Sequence, residues 1–67
     1  NDSERAAIRP ALLARILAAL ESGQILRVTT TDPGAPHDLA VFSRQTGHAL
    51  LLQQTEGDTT VHWLRRR

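Results

Sequence analysis

Cysteine is absent from these 67 residues, so they can form no thiolate, persulfide, cysteine metal site or disulfide. Chemistry is left to three histidines, seven carboxylates and eight arginines, with no lysine. His37 falls near a helix start, His48 at a strand start and His62 on the far face of its own strand. Three such positions do not converge on a metal, and no metal or other cofactor is expected. No Ser-His-Asp arrangement stands in a nucleophile-elbow context, so no catalytic residue is assigned. The formal charge is +1 and the pI about 9.3, yet Arg5, Arg9, Arg15, Arg27 and Arg44 are scattered among acids. A nucleic-acid surface would be a dense basic patch interleaved with stacking aromatics, and Phe42 and Trp63 are the only aromatic residues, so nucleic acid is not the expected partner. The cluster Arg65 to Arg67 reads as a solvated chain end, with contact to an acidic or phosphate-bearing partner as the alternative.

The elements that would hold these residues follow from periodicity. Pro10 suits a first helical position, and Leu13, Ile16, Leu17 and Leu20 recur at i, i+3, i+4 and i+7 before Gly23 closes the run. Residues 24–31 alternate as a strand, and Asp32-Pro33-Gly34 breaks it, the Asp side chain accepting from amides ahead. A second helix is expected over residues 35–46, with Leu39 and Phe42 inward and Gly47 left-handed at its end. Strands over 48–56 and 59–65 are joined at Gly57-Asp58 as a hairpin. Residues 1–7 are assigned a short first strand, which completes a βαβαββ order in a single domain, residues 1–67. A chain of this length buries only about 60% of its unfolded surface, and aliphatic residues must build nearly all of the core. No apolar run approaches the roughly 20 residues of a membrane span, and no export signal is present, so a cytoplasmic protein without membrane attachment is expected. The lack of any methionine predicts that residues precede Asn1.

Strict alternation in the hairpin points Leu50, Leu52, Val61 and Trp63 at the helices. Leu51, His62 and Leu64 are then expected on the opposite face, which two helices on one side leave open to solvent, to a partner or to a second copy in a homodimer.

The segment Ser22-Gly23-Gln24-Ile25-Leu26-Arg27-Val28, then Thr31-Asp32-Pro33-Gly34-Ala35, Asp38-Leu39 and Gln45-Thr46-Gly47-His48-Ala49-Leu50-Leu51, resembles the TusA/SirA family of sulfur carriers. That family shows a Gly-Glu-x-Leu-x-Val strand, an Asp-Pro-x-Ala turn, an Asp-hydrophobic pair and a Gly-His-hydrophobic strand start. The resemblance covers roughly residues 12–67 and implies a two-layer α/β sandwich, a mixed four-stranded sheet with two helices on one face. It marks Pro10, Gly23, Asp32, Pro33, Asp38, Gly47 and His48 as family positions. It also implies a Cys-Pro-x-Pro motif at the start of the first helix, where unpaired amides and the positive end of the helix favour a thiolate and its persulfide. This sequence departs from that motif. If Pro10 is the first proline, Arg9 stands where the cysteine would be and Leu12 replaces the second proline; if Pro10 is the second, Ala7 stands there and Ile8 replaces the first.

The resulting expectation is a binding or regulatory module related to sulfur relay, with a protein partner and no catalysis of its own. The alternatives are an active sulfurtransferase whose cysteine lies outside these residues, and an RNA-binding module whose affinity would fall steeply with salt.

Overall fold

Pro10 starts helix α1 (Pro10–Ala18): its fixed φ suits the first turn, where its missing N–H goes unused. The structure, a computed structural model, describes residues 9–67. Helix α1 stops at Ala18, earlier than Gly23, and the intervening turn carries Leu20 back against the core. Strand β1 (Ile25–Thr30) follows, then the turn at Asp32, helix α2 (Ala35–Thr46), strand β2 (Ala49–Glu56) and strand β3 (Thr59–Arg65). Gly47 takes φ 82° at the end of α2, the left-handed conformation expected there. Gly57 takes φ 64° while Asp58 keeps a negative φ, the combination of a two-residue type II′ hairpin between β2 and β3.

The expected four-stranded mixed sheet with a βαβαββ order is corrected by this arrangement. The described residues form a three-stranded sheet in the order β1-β3-β2, and both pairings are antiparallel. The last strand inserts between the other two. β1 and β2, joined by the α2 crossover, run parallel to each other but are held apart by β3, so no parallel pair arises among the described residues. The first strand, assigned to residues 1–7, lies outside the described residues.

The core lies between the sheet and the two helices. Leu13 and Leu17 of α1, Leu39 and Phe42 of α2, and Leu64 of β3 are buried together, with Leu26, Val28 and Leu50 packed against them. The faces of the hairpin are also corrected. Leu64 and His62 are fully buried on the helix side, whereas Val61 and Trp63 are on the other face and half-buried. In β2 a register shift between Leu50 and Leu52 leaves Leu51 as the extra residue of a bulge. Leu50, opposite Leu64, points inward; Leu52, opposite Trp63, points outward and is 47% exposed. Leu51, His62 and Leu64 therefore do not share an open face: only Leu51, 44% exposed, is at the surface. Alternation fails because the bulge changes parity within β2. In β3, burying a histidine costs little once both ring nitrogens find partners.

Candidate functional site

The start of α1 meets the start of α2 across a shallow cleft of about 340 Å³ lined by Pro10, His37, Asp38, Val41, Phe42 and Gln45. Arg9 is the N-cap of α1, with extended backbone (φ −106°, ψ 96°), and its side chain caps none of the first amides. Its carbonyl accepts from Leu13 N at 3.0 Å, the first bond of the helix. Asp38 sits in the first turn of α2, where its charge complements the helix dipole. Two family positions distant in sequence, Pro10 and Asp38, are thus brought to one cleft, and Arg9, one of the two positions at which the family resemblance would put a cysteine, directly precedes Pro10. Ala7 lies outside the described residues.

The α2 start is shaped by Asp32. Its Oδ1 accepts from Gly34 N at 2.9 Å and its carbonyl from Ala35 N at 3.0 Å, so Asp32 and Pro33 form the turn that aims the helix. The interaction with amides ahead is as the sequence implied.

At the other end of α2, Thr46 Oγ1 donates to the Phe42 carbonyl at 2.8 Å and accepts from His48 N at 3.4 Å, tying the helix end to the strand that follows. The His48 ring stacks on Phe42 with centroids 6.2 Å apart, and its Nδ1 accepts from Arg67 N at 3.2 Å. An accepting Nδ1 leaves the proton on Nε2 in the neutral ring. Burial chiefly, then the nearby Arg67 and Arg66 guanidinium groups, hold the His48 pKa below the ordinary histidine value. Gly47 lies under Arg67: a Cβ there would meet the arginine Cδ at 3.3 Å. Phe42 links the two ends, lining the cleft and stacking on His48. Gly23 plays a backbone part, its N–H donating to the Arg66 carbonyl at 2.8 Å beyond the end of β3.

Alternation places His62 on the open face, whereas the structure makes it the centre of a buried network. Its Nε2 lies 2.7 Å from Thr30 Oγ1 and its Nδ1 lies 3.1 Å from Gln53 Nε2. Gln53 Nε2 also donates to the Pro36 carbonyl at 3.0 Å. That carbonyl only accepts, which fixes the amide orientation; the amide must then donate to Nδ1 as well, and the ring proton sits on Nε2. Nε2–H donates to Thr30 Oγ1, whose hydroxyl points on to the Thr60 carbonyl at 3.5 Å. Burial lowers the His62 pKa, in keeping with this neutral tautomer. The network joins all three strands to the first turn of α2. Its one signal in the sequence was Gln53, a polar residue opposite a histidine that interrupts the apolar run of β2.

The three histidines remain apart, and among the described residues no group of three or more His, Cys, Asp or Glu could hold a metal ion. Among these residues no helix is long and apolar enough to cross a membrane.

A family model described as Sulfurtransferase TusA matches residues 11–66. The putative sulfur carrier protein YrkI of Bacillus subtilis is 51% identical over 47 residues, 70% of this chain and 63% of that protein. The sulfur carrier protein TusA of Pseudomonas putida is 40% identical over 48 residues, 72% of this chain and 60% of its own length. The TusA of Pseudomonas entomophila is 36% identical over 56 residues, 84% of this chain and 70% of that one. The chain thus spans about three fifths of the length of the first two relatives. No solved structure matches it.

Proposed function

The chain belongs to the TusA sulfurtransferase family, and from that premise we propose that it is a docking module of sulfur relay in the cytoplasm, binding a protein partner without carrying sulfur itself. The observation that supports this reading is the start of α1. The fold presents a helix N-terminus beside Asp38 in an open cleft, but Arg9 and Pro10 occupy it, and no cysteine stands anywhere in the 67 residues. A guanidinium cannot bond a sulfane sulfur. It does suit a carboxylate, and the partner would meet Arg9 and the cleft lined by Pro10, His37 and Asp38.

The test is the intact mass of the natural protein after incubation with a persulfide donor, measured with and without thiol alkylation. An unchanged mass is expected. A gain of one sulfur atom that alkylation prevents would place a working thiol in the natural protein and restore the carrier reading.

A further inference from the structure

The face of the sheet turned away from both helices is ordered, apolar and cationic. In register across it lie Ile25, Arg65 and Ala49; then Arg27, Trp63 and Leu52; then Thr29, Val61 and Gln54. Ile25 is 56% exposed, Leu51 and Leu52 are nearly as open, and Trp63 lies half-buried in the middle row. Arg27 and Arg65 are both exposed diagonal neighbours flanking that tryptophan, and among the described residues neither forms an ion pair. Among the described residues the one carboxylate on this face is Glu56 at the hairpin end, four residues along β2 from Leu52, or about 13 Å.

We propose that this face docks an acidic amphipathic helix of a partner protein, its aliphatic stripe seated on Ile25, Leu52, Val61 and Trp63 and its flanking carboxylates on Arg27 and Arg65. Three strands spaced about 4.8 Å apart make a strip roughly 10 Å wide between the outer strand axes, which is the width of one helix. Charge decides the kind of partner. A second copy of this chain would bring its own two guanidinium groups to the same centre, where like charges oppose association. Single-stranded nucleic acid would need successive stacking platforms, and this face offers one aromatic ring among aliphatic side chains. Carboxylates on a leucine-rich helix satisfy both features of the surface, and bidentate pairing with arginine would fix the direction of the helix. The inference rests on the reading of this domain as a docking module and names a second surface, remote from the α1 cleft.

Trp63 is the sole tryptophan and reports from the centre of the face. The test titrates the protein with a synthetic helical peptide carrying leucines at i, i+3, i+4 and i+7 and flanking glutamates. Parallel titrations use the same peptide with lysines for glutamates, and oligouridine, and a dilution series follows the protein alone. The expected result is a saturable blue shift with the glutamate peptide only, weakened by salt. Affinity should fall about tenfold or more in the double variant Arg27→Glu, Arg65→Glu, whose thermal melting should match the parent. Equal binding of the lysine peptide, a response to oligouridine, a shift on concentrating the protein alone, or no response to any probe would each overturn the proposal. A sulfur gain in the mass experiment would remove the non-carrier reading without altering these titrations, so the two failures are distinguishable.

Discussion

The two faces of the sheet are built from the same three strands and obey opposite rules. On the helix side the polar groups of the strands are paired: His62 bonds Thr30 through one ring nitrogen and Gln53 through the other, Gln53 also donates to the Pro36 carbonyl, Thr55 bonds Thr60, and Leu26, Leu64 and Leu50 close the apolar end. On the open side, apolar side chains lie at the surface and the guanidinium groups of Arg27 and Arg65 have no carboxylate partner among the described residues. Burial of a polar group is tolerated where its partners are fixed, and exposure of an apolar one needs no partner at all. The identity of a residue therefore says less about its face than the register does.

Truncation separates the faces most strongly. Leu64→Ala, which empties a fully buried site against α1 and α2, should cost about 2–5 kcal/mol, while Ile25→Ala on the open face should cost under about 1 kcal/mol. A domain of this length holds roughly 3–10 kcal/mol in all, so the first variant should melt far earlier or fail to fold, and urea midpoints would show the contrast. Similar losses at both positions would mean that the open face is covered.

Thr30→Val comes next. It keeps the shape of the side chain and removes the acceptor of the buried His62 Nε2–H, an expected loss of about 1–3 kcal/mol. A variant as stable as the parent would show that the ring donates elsewhere.

Acidification should act on the same side of the sheet. The His62 pKa is lowered in the fold, so the unfolded chain binds more protons below the ordinary value of 6.5. Stability is then fully present above about pH 6.5 and falls as the pH drops below it, until the folded ring itself takes a proton. His48 shifts in the same direction and adds to the fall. Titration of the histidine ring protons by NMR should place His62 below 6.5; a value at or above it would contradict the neutral, doubly bonded ring.

Much of this was legible in the sequence because it rests on local rules. Pro10, the Leu13–Leu17 pair of α1, the Asp32 turn, Gly47 and the Gly57-Asp58 hairpin each act within a few residues and lie where periodicity and turn chemistry put them, whereas α1 ends at Ala18 and leaves Ile16, expected on its apolar stripe, 42% exposed. What failed was long-range. The insertion of β3 between β1 and β2 is decided by pairing 30 residues apart, as between Thr30 and Thr60, and the bulge at Leu51 breaks parity inside a run of three identical leucines, which carries no mark of where the extra residue falls. The site divided likewise: Pro10 and Asp38 were singled out one by one, but their shared cleft depends on how the helices pack. His62 escapes a sequence reading because its partners, Thr30 and Gln53, come from two other strands, and Gln53 is itself held by the Pro36 carbonyl of α2.

Leu51→Glu tests that parity with the smallest expected effect. Alternation grouped Leu51 with His62 and Leu64, and a charge at any member of such a set would then act alike. With Leu51 bulged out and 44% exposed, a glutamate there reaches water without displacing core atoms and should change stability by no more than about 0.5 kcal/mol. Leu64→Glu would bury an unpaired carboxylate among Leu17, Leu39 and Phe42 and should prevent folding. Circular dichroism of the two variants separates the readings: a folded Leu51→Glu beside an unfolded Leu64→Glu is what the bulge requires, and two unfolded variants would return Leu51 to the core. In the folded case, the new carboxylate also stands at the margin of the cationic face, where it should weaken the glutamate peptide by repulsion at a position that makes no hydrogen bond to it.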